Sequence, residues 1–410
     1  MTIAQVTKGL ILMLWLMLGL GVQAREVRIA AFNLGWAGTT SEFQRHVQVC
    51  SSRMVNWCSS RGDAQDPKVQ TCRAAFQNAA GGAVAAHGIA PCNAYQKFLP
   101  RKDDIDAYTD RLRAIGNTML GNQALGIPDP GVDLWAVSEV SGAQVFDEIL
   151  GNKRSDYHVC ITRQPEFQKV GFVWKKSLGG SPQDCRQEDG LAVPDDPDLA
   201  ESVTATPLAR EQRRLRAGMA LTLVLNSQPV TFMSLHLKSA CVNPEPERFA
   251  GRTQPGRRLT STESACRLLR AQVPALEAWM EAVALRTPRF VILGDFNRKL
   301  HQEIGRVARE DGTSAAAPID PPGQARSRIA YLYPELNDGR PAAARTWLMK
   351  PAPRPRECRG FSGLDHIVLS LDLADLSNNR QRPSEKLGLA RTSAGRMASD
   401  HCPLAASLDF

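Results

Sequence analysis

Aromatic side chains are scarce in this chain: Phe, Trp and Tyr make up 6% of 410 residues. That leaves no evident run of stacking platforms of the kind single-strand binders use. No two of the ten cysteines have C-x2-C spacing, which argues against a zinc site. Beyond the N-terminus no stretch is long and apolar enough to span a bilayer, which takes about 20 residues. There is no internal repeat, and no linker long enough to separate a pair of domains.

The N-terminus reads differently. Lys8 precedes the apolar run Gly9–Val22, and Val22-Gln23-Ala24 has small residues where a signal peptidase would cut before Arg25. We expect residues 1–24 to be a signal peptide and residues 25–410 one domain, secreted or periplasmic; an uncleaved membrane anchor is the alternative. Removing Lys8 leaves 49 basic residues against 42 acidic, a net charge of +7. Such an excess fits polyanionic partners, though exported proteins can be basic for other reasons. In an oxidising compartment the cysteines are expected to pair. Cys50, Cys58, Cys72 and Cys92 lie close together in sequence, and Cys160 with Cys185 and Cys241 with Cys266 are plausible staples.

Alternation predicts a first strand over Glu26–Asn33. Residues 37–100 look like an irregular, cross-linked insertion, followed by a helix over Asp103–Leu120. Strands are expected over Val132–Val140, His158–Thr162, Val170–Trp174, Met219–Leu225, Val230–Leu237, Phe290–Leu293, Leu364–Leu371 and Leu404–Leu408. A helix is expected over Cys266–Leu285, with Pro274 kinking it or marking its start. Pro182–Pro207, Asn243–Ser261 and Asp311–Arg328 read as loops. This order predicts one α/β domain, two packed sheets with helices outside.

Several short segments at strand ends concentrate proton-transfer and metal-type groups. In Gly294-Asp295-Phe296-Asn297, alternation places Asp295 and Asn297 on one side. Asp295 could activate a water and Asn297 could donate to a phosphoryl oxygen. Gly294 permits close approach of a ligand or another backbone. Asp and Asn also favour turns, so the tetrapeptide alone fits a capped turn as well. Ser399-Asp400-His401 could offer a carboxylate to a metal and a ring nitrogen to phosphate. Asp365 could orient a histidine, while His366, one residue out of phase, faces away. His236 reads as a general acid or as a satisfied core histidine. Glu139 ends a buried strand and needs a partner, for which a hard cation is apt. Asn33 ends the first strand. His46, His87, His158 and His301 are read as surface or structural.

Taken together, Arg28–Asn33, Asp133–Val140, Leu235–Ser239, Ile292–Asn297, Leu364–Ser370 and Ser399–Pro403 resemble, in order, the motifs of the endonuclease/exonuclease/phosphatase superfamily. The resemblance implies a four-layer sandwich of two mixed sheets flanked by helices. It implies that Glu139, with Asn33 and Asp400, holds magnesium, with manganese or calcium as alternatives. Asp295 would activate the attacking water and Asn297 hold a phosphate oxygen. His401, paired with Asp365, would stabilise the pentacovalent phosphorus, and His236 would act as an acid near the leaving oxygen. Many nucleases of the family carry an acid where this chain has Gly35, which puts a second metal in doubt. The substrate expected is a nucleic acid, DNA or RNA, cut at its phosphodiester bonds; Arg210–Arg216 and Arg252–Arg258 could follow its backbone. The alternative is a lipid or inositol-phosphate head group. Abasic-site repair sits poorly with export. A non-catalytic binding role would require loss of the key residues, and all are present. No stable protein partner is expected, and the protein is expected to be a monomer.

Overall fold

The computed structural model describes residues 26–56, 66–96, 98–202, 214–249, 251–307, 329–339, 341–350 and 363–410. Residues 1–24, Cys58, Cys358, residues 210–213 and residues 311–328 lie outside the described residues. Among the described residues the strands run, in chain order, β1 Glu26–Ala37, β2 Leu134–Val140, β3 Tyr157–Ile161, β4 Lys169–Lys175, β5 Cys185–Glu188, β6 Gly218–Leu225 and β7 Gln228–His236. They continue with β8 Glu247–Phe249, β9 Arg252–Gln254, β10 Phe290–Asp295, β11 Thr346–Leu348, β12 Asp365–Ser370, β13 Glu385–Lys386 and β14 Leu404–Asp409.

Two six-stranded mixed sheets result, in the orders β13-β14-β1-β2-β4-β3 and β11-β12-β10-β7-β6-β5. Their facing sides bury Val27, Ile29, Ala31, Leu134, Phe232, Val291, Leu293, Ile367 and Leu404 in one apolar layer. The other face of the first sheet, with Phe32, Trp135 and Val137, packs on Phe43, Tyr108, Leu112 and Phe146 from helices. The other face of the second sheet, with Leu235, Ile292 and Val368, packs on Leu269, Val273, Leu276 and Val283 of the helix Ser264–Ala284. The layering is therefore helix, sheet, sheet, helix, as expected. Burial on both faces explains why the central strands read as continuous apolar runs.

Four expectations need correction. Residues 37–100 are not irregular: helices span Thr40–Ser51, Pro67–Ala80 and Ala83–His87. Thr39 and Glu42 form a capping box, Asp66 caps the second helix ahead of Pro67, and Gly81 ends it at φ +90°. Phe43, His46 and Val49 give the first helix its buried stripe. Pro182–Pro207 is not a plain loop, because β5 pairs with β6 and Pro197–Ser202 is helical. Asn243–Ser261 contains the β8–β9 hairpin. Pro274 does not mark the start of its helix, which begins at Ser264 and runs through it.

Disulfides join Cys50 to Cys92, Cys160 to Cys185 and Cys241 to Cys266. Cys160 lies on β3 and Cys185 on β5, the edge strands of the two sheets, so this bridge ties the sheets together at one side. Three such bonds fit an oxidising compartment. No helix among the described residues is long and apolar enough to cross a membrane.

Candidate active site

Strand register assembles half of the site. β7 and β10 are parallel, with His236 opposite Asp295, and β12 is antiparallel to β10, with Asp365 opposite Asp295. All three residues fall in phase with the inter-sheet side of their strands, on which Phe232, Leu293 and Ile367 pack. His366 lies on the opposite face, as its phase predicts. Its Nε2 donates to the Arg298 carbonyl at 2.8 Å and takes no part in the cluster.

The facing sheet closes the cluster. Asn33 shares the inward face of Val27, Ile29 and Ala31, and its Nδ2 donates to Asp295 Oδ2 at 3.0 Å. β14 pairs antiparallel to β1 with Leu404 opposite Ala31, which brings His401 beside the end of β1. The Ser399 hydroxyl donates to the Asn33 carbonyl at 2.7 Å and accepts from the His401 amide at 3.1 Å. His401 Nδ1 lies 2.9 Å from Asp365 Oδ2 and its Nε2 3.7 Å from Asp295 Oδ2. His236 Nε2 is 3.5 Å from Asp295 Oδ2 and 3.8 Å from Glu139 Oε1.

Two residues arrive by backbone turns rather than by strand phase. Ser138 is inward, so alternation would send Glu139 to the helix-covered face with Val137. Instead Glu139 occupies a bulge at φ +58°, and its carboxylate meets Gln168 Nε2 at 2.9 Å. Asn297 does not continue the strand, and this corrects the alternation argument. β10 stops at Asp295, and Asn297 sits at φ +53° in a turn whose amide donates to Asp295 Oδ1 at 2.8 Å. One Asn297 side-chain hydrogen goes to the Leu237 carbonyl at 3.0 Å. Gly294 is required because at φ +144° an added Cβ would lie 2.2 Å from the Leu235 carbonyl oxygen. The close approach it permits is thus another backbone.

The cluster is buried, which sets its charges. Burial pushes Asp295 up to about 7, with Asp365 acting the same way against the pull of His401, Asn33 and the Asn297 amide. Burial works against a charge on His401, but Asp365, Asp295 and Asp400 together raise it to about 10. Asp365 lies below its ordinary value: burial opposes this, while His401 and Lys386 overcome it. His236 is held well below its ordinary value by burial, Arg216 and His401, and is neutral at neutral pH.

Asp295, Asp365 and His401 also form the one group of buried His or acidic side chains among the described residues whose ligand atoms lie within 4.8 Å of one another. Asp365 and His401 are already paired with each other through Oδ2 and Nδ1. Asn33 and Glu139 bring an amide and a carboxylate to the cleft, with half-exposed Asp400 on the segment that carries His401. That donor set is oxygen-only and fits a hard divalent cation.

Four further side chains belong here; of these the sequence marks only Arg216, as the end of the basic run Arg210–Arg216, and it is buried rather than at the surface. Arg111 is fully buried and donates to the carbonyls of Leu34, Gly35 and Ala398, tying the Asn33 turn to the His401 segment. Gln168 and Arg216 lie behind Glu139. Lys386 Nζ is 3.7 Å from Asp365 Oδ2.

No family model matches the chain, and no curated protein does. Solved structures do. ANGEL2, a 2',3'-cyclic phosphatase, is 12% identical over 94% of this chain and 95% of its own, with a TM-score of 0.44. A 3'-5' exonuclease from Neisseria meningitidis is 16% identical over 72% and 96%, with a TM-score of 0.35. An endonuclease/exonuclease/phosphatase family protein from Leptotrichia buccalis C-1013-b is 10% identical over 74% and 93%, with a TM-score of 0.34.

Proposed function

We propose that this protein is an exported, divalent-metal-dependent phosphoesterase that hydrolyses phosphodiester bonds, with nucleic acid as the preferred substrate class. One observation carries the reading: a single buried carboxylate oxygen, Asp295 Oδ2, is met by Asn33 of β1, His236 at the end of β7 and His401 from the turn ahead of β14. A carboxylate raised to about 7 is basic enough to take a proton from water near neutral pH. His401 keeps its proton through the same range and presents positive charge where negative charge builds on the phosphoryl oxygens. Asp365 holds the ring's Nδ1 side and leaves Nε2 directed at the cleft. Neutral His236 acts in this reading as a hydrogen-bond partner beside the leaving oxygen rather than as a strong acid. Asn297, one amide hydrogen committed to Leu237, offers the other to a phosphoryl oxygen.

Glu139 and Asn33, with Asp400, would hold the metal; magnesium fits best, and manganese or calcium are alternatives. Bound there, it supplies Lewis-acid polarisation of a phosphoryl oxygen. What the chain itself contributes is position: reacting groups fixed by two sheets, with water excluded on the core side. The basic excess of the chain supports a polyanion. None of the exposed large hydrophobic side chains among the described residues is aromatic, which favours, as a second reading, a head-group phosphodiester over a stacked single strand.

A parallel assay decides between them. The mature protein is incubated with magnesium and plasmid DNA, RNA, sphingomyelin or inositol phosphates. Nicking or smearing of nucleic acid, abolished by EDTA and by His401→Ala, is the expected result. Head-group release without nicking would shift the substrate to the second reading. Hydrolysis indifferent to both EDTA and His401→Ala would overturn the mechanism.

A further inference from the structure

Glu139 is in an unusual position for a residue that must hold a cation. Pairing of β2 with β4 runs Ser138 to Val170 and then Val140 to Lys169, so Glu139 is the extra residue of a bulge. The pairing of β2 with β1 also slips at this level, between Asn33 and Ala37. Neither neighbouring strand therefore fixes Glu139 by regular pairing, and its left-handed φ of +58° is one that L side chains rarely adopt. A carboxylate on such a backbone needs an outside partner to have one orientation.

Gln168, the residue just before β4, is that partner. Its Nε2 donates to Glu139 Oε1 at 2.9 Å, and its Oε1 accepts from Arg216 Nη1 at 3.3 Å. The amide has only one sensible direction. Turned over, its oxygen would face a carboxylate and its N–H₂ a guanidinium, and both contacts would repel. Arg216 is itself fixed. Its Nε donates to the His236 carbonyl at 3.0 Å, and its Nη2 donates to the Leu237 carbonyl. The Leu237 carbonyl also accepts from Asn297 Nδ2 at 3.0 Å. A continuous chain of hydrogen bonds thus runs from Glu139 on the first sheet to His236 and Asn297 on the second.

We infer that Gln168 is a positioning residue that sets the carboxylate of Glu139 for metal binding, with Arg216 anchoring Gln168 to the opposite sheet. The inference rests on Glu139 being a metal ligand. Groups that hydrogen-bond a ligating side chain from behind change metal affinity about 10- to 100-fold when removed. Gln168 is only half-buried in a loop, so its replacement leaves the core packing in place.

The test is metal-induced thermal stabilisation, read by titrating magnesium and manganese in turn into the wild type, Gln168→Met, Gln168→Ala and Glu139→Gln. Gln168→Met keeps the length of the side chain and removes both the donor and the acceptor. We expect both Gln168 variants to melt near the wild-type temperature without metal, and to need about 10- to 100-fold more metal for half of the stabilisation. Glu139→Gln should lose the response. If Glu139→Gln loses it while both Gln168 variants titrate within about twofold of the wild type, the role of Gln168 is refuted and the metal reading stands. If Glu139→Gln responds as the wild type does, Glu139 is not the ligand, and the inference falls with that reading.

Discussion

The two sheets deliver their functional groups by different means. On the second sheet, His236, Asp295 and Asp365 stand in one row because three paired strands put them in register on the same face. On the first sheet, Asn33 follows strand phase, but Glu139 reaches the cleft only through a bulge, and His401 through the turn ahead of β14. The row is set by the pleat, which allows one answer. The bulge is set by a local backbone state that has to be held from outside. Register positions should therefore respond to backbone changes, and bulge positions to the loss of side-chain partners.

The largest effect should come from breaking register. Gly294→Ala places a Cβ 2.2 Å from the Leu235 carbonyl oxygen, between β10 and β7. We expect a loss of about 4 kcal/mol or more in urea unfolding, or no folded protein. A wild-type midpoint would show that the row does not depend on this close approach. Next, Asp365→Asn keeps the row and removes the charge that sustains the His401 cation. Hydrolysis should fall about 10²- to 10³-fold, with some loss of stability because a buried ion pair loses one partner. An unchanged rate would separate Asp365 from the chemistry.

A smaller effect contrasts His401 with a histidine of the helical layer. Burial lowers His46 to about 4, although its bond to the Ala90 carbonyl pulls the other way. Its unfolded value is the ordinary 6.5, so between pH 6.5 and about 4 the unfolded chain binds a proton that the native state does not. Stability present above pH 6.5 is therefore lost as the pH falls, by roughly 2 kcal/mol at pH 5. Chemical denaturation from pH 7 to pH 4 should show this loss in the wild type and less of it in His46→Gln. Equal slopes would remove His46 as the cause.

The same contrast explains what can be read in advance. Period-two alternation locates His236, Asp295 and Asp365 and sends His366 away, because strand geometry permits nothing else. Alternation fails at Glu139 and Asn297, where the backbone turns left-handed and phase carries no information. In residues 37–100 the helix signals are present in Thr39, Glu42, Asp66-Pro67 and Gly81, but cysteines and paired glycines mask them. Gln168 and Arg111 have no local signal at all, and Arg216 reads only as the last of a basic run. Each acts through carbonyls or carboxylates that are distant in sequence, and only the folded chain brings them within reach.

The central claim is that Asp295 is the base of a phosphodiester hydrolysis, and Asp295→Asn tests it most directly. The substitution keeps the shape of the side chain and removes a charge that burial disfavours. Phosphodiester hydrolysis in magnesium should fall by about 10³-fold or more, while the melting temperature stays level or rises. A variant that keeps its activity within about tenfold of the wild type would contradict the account.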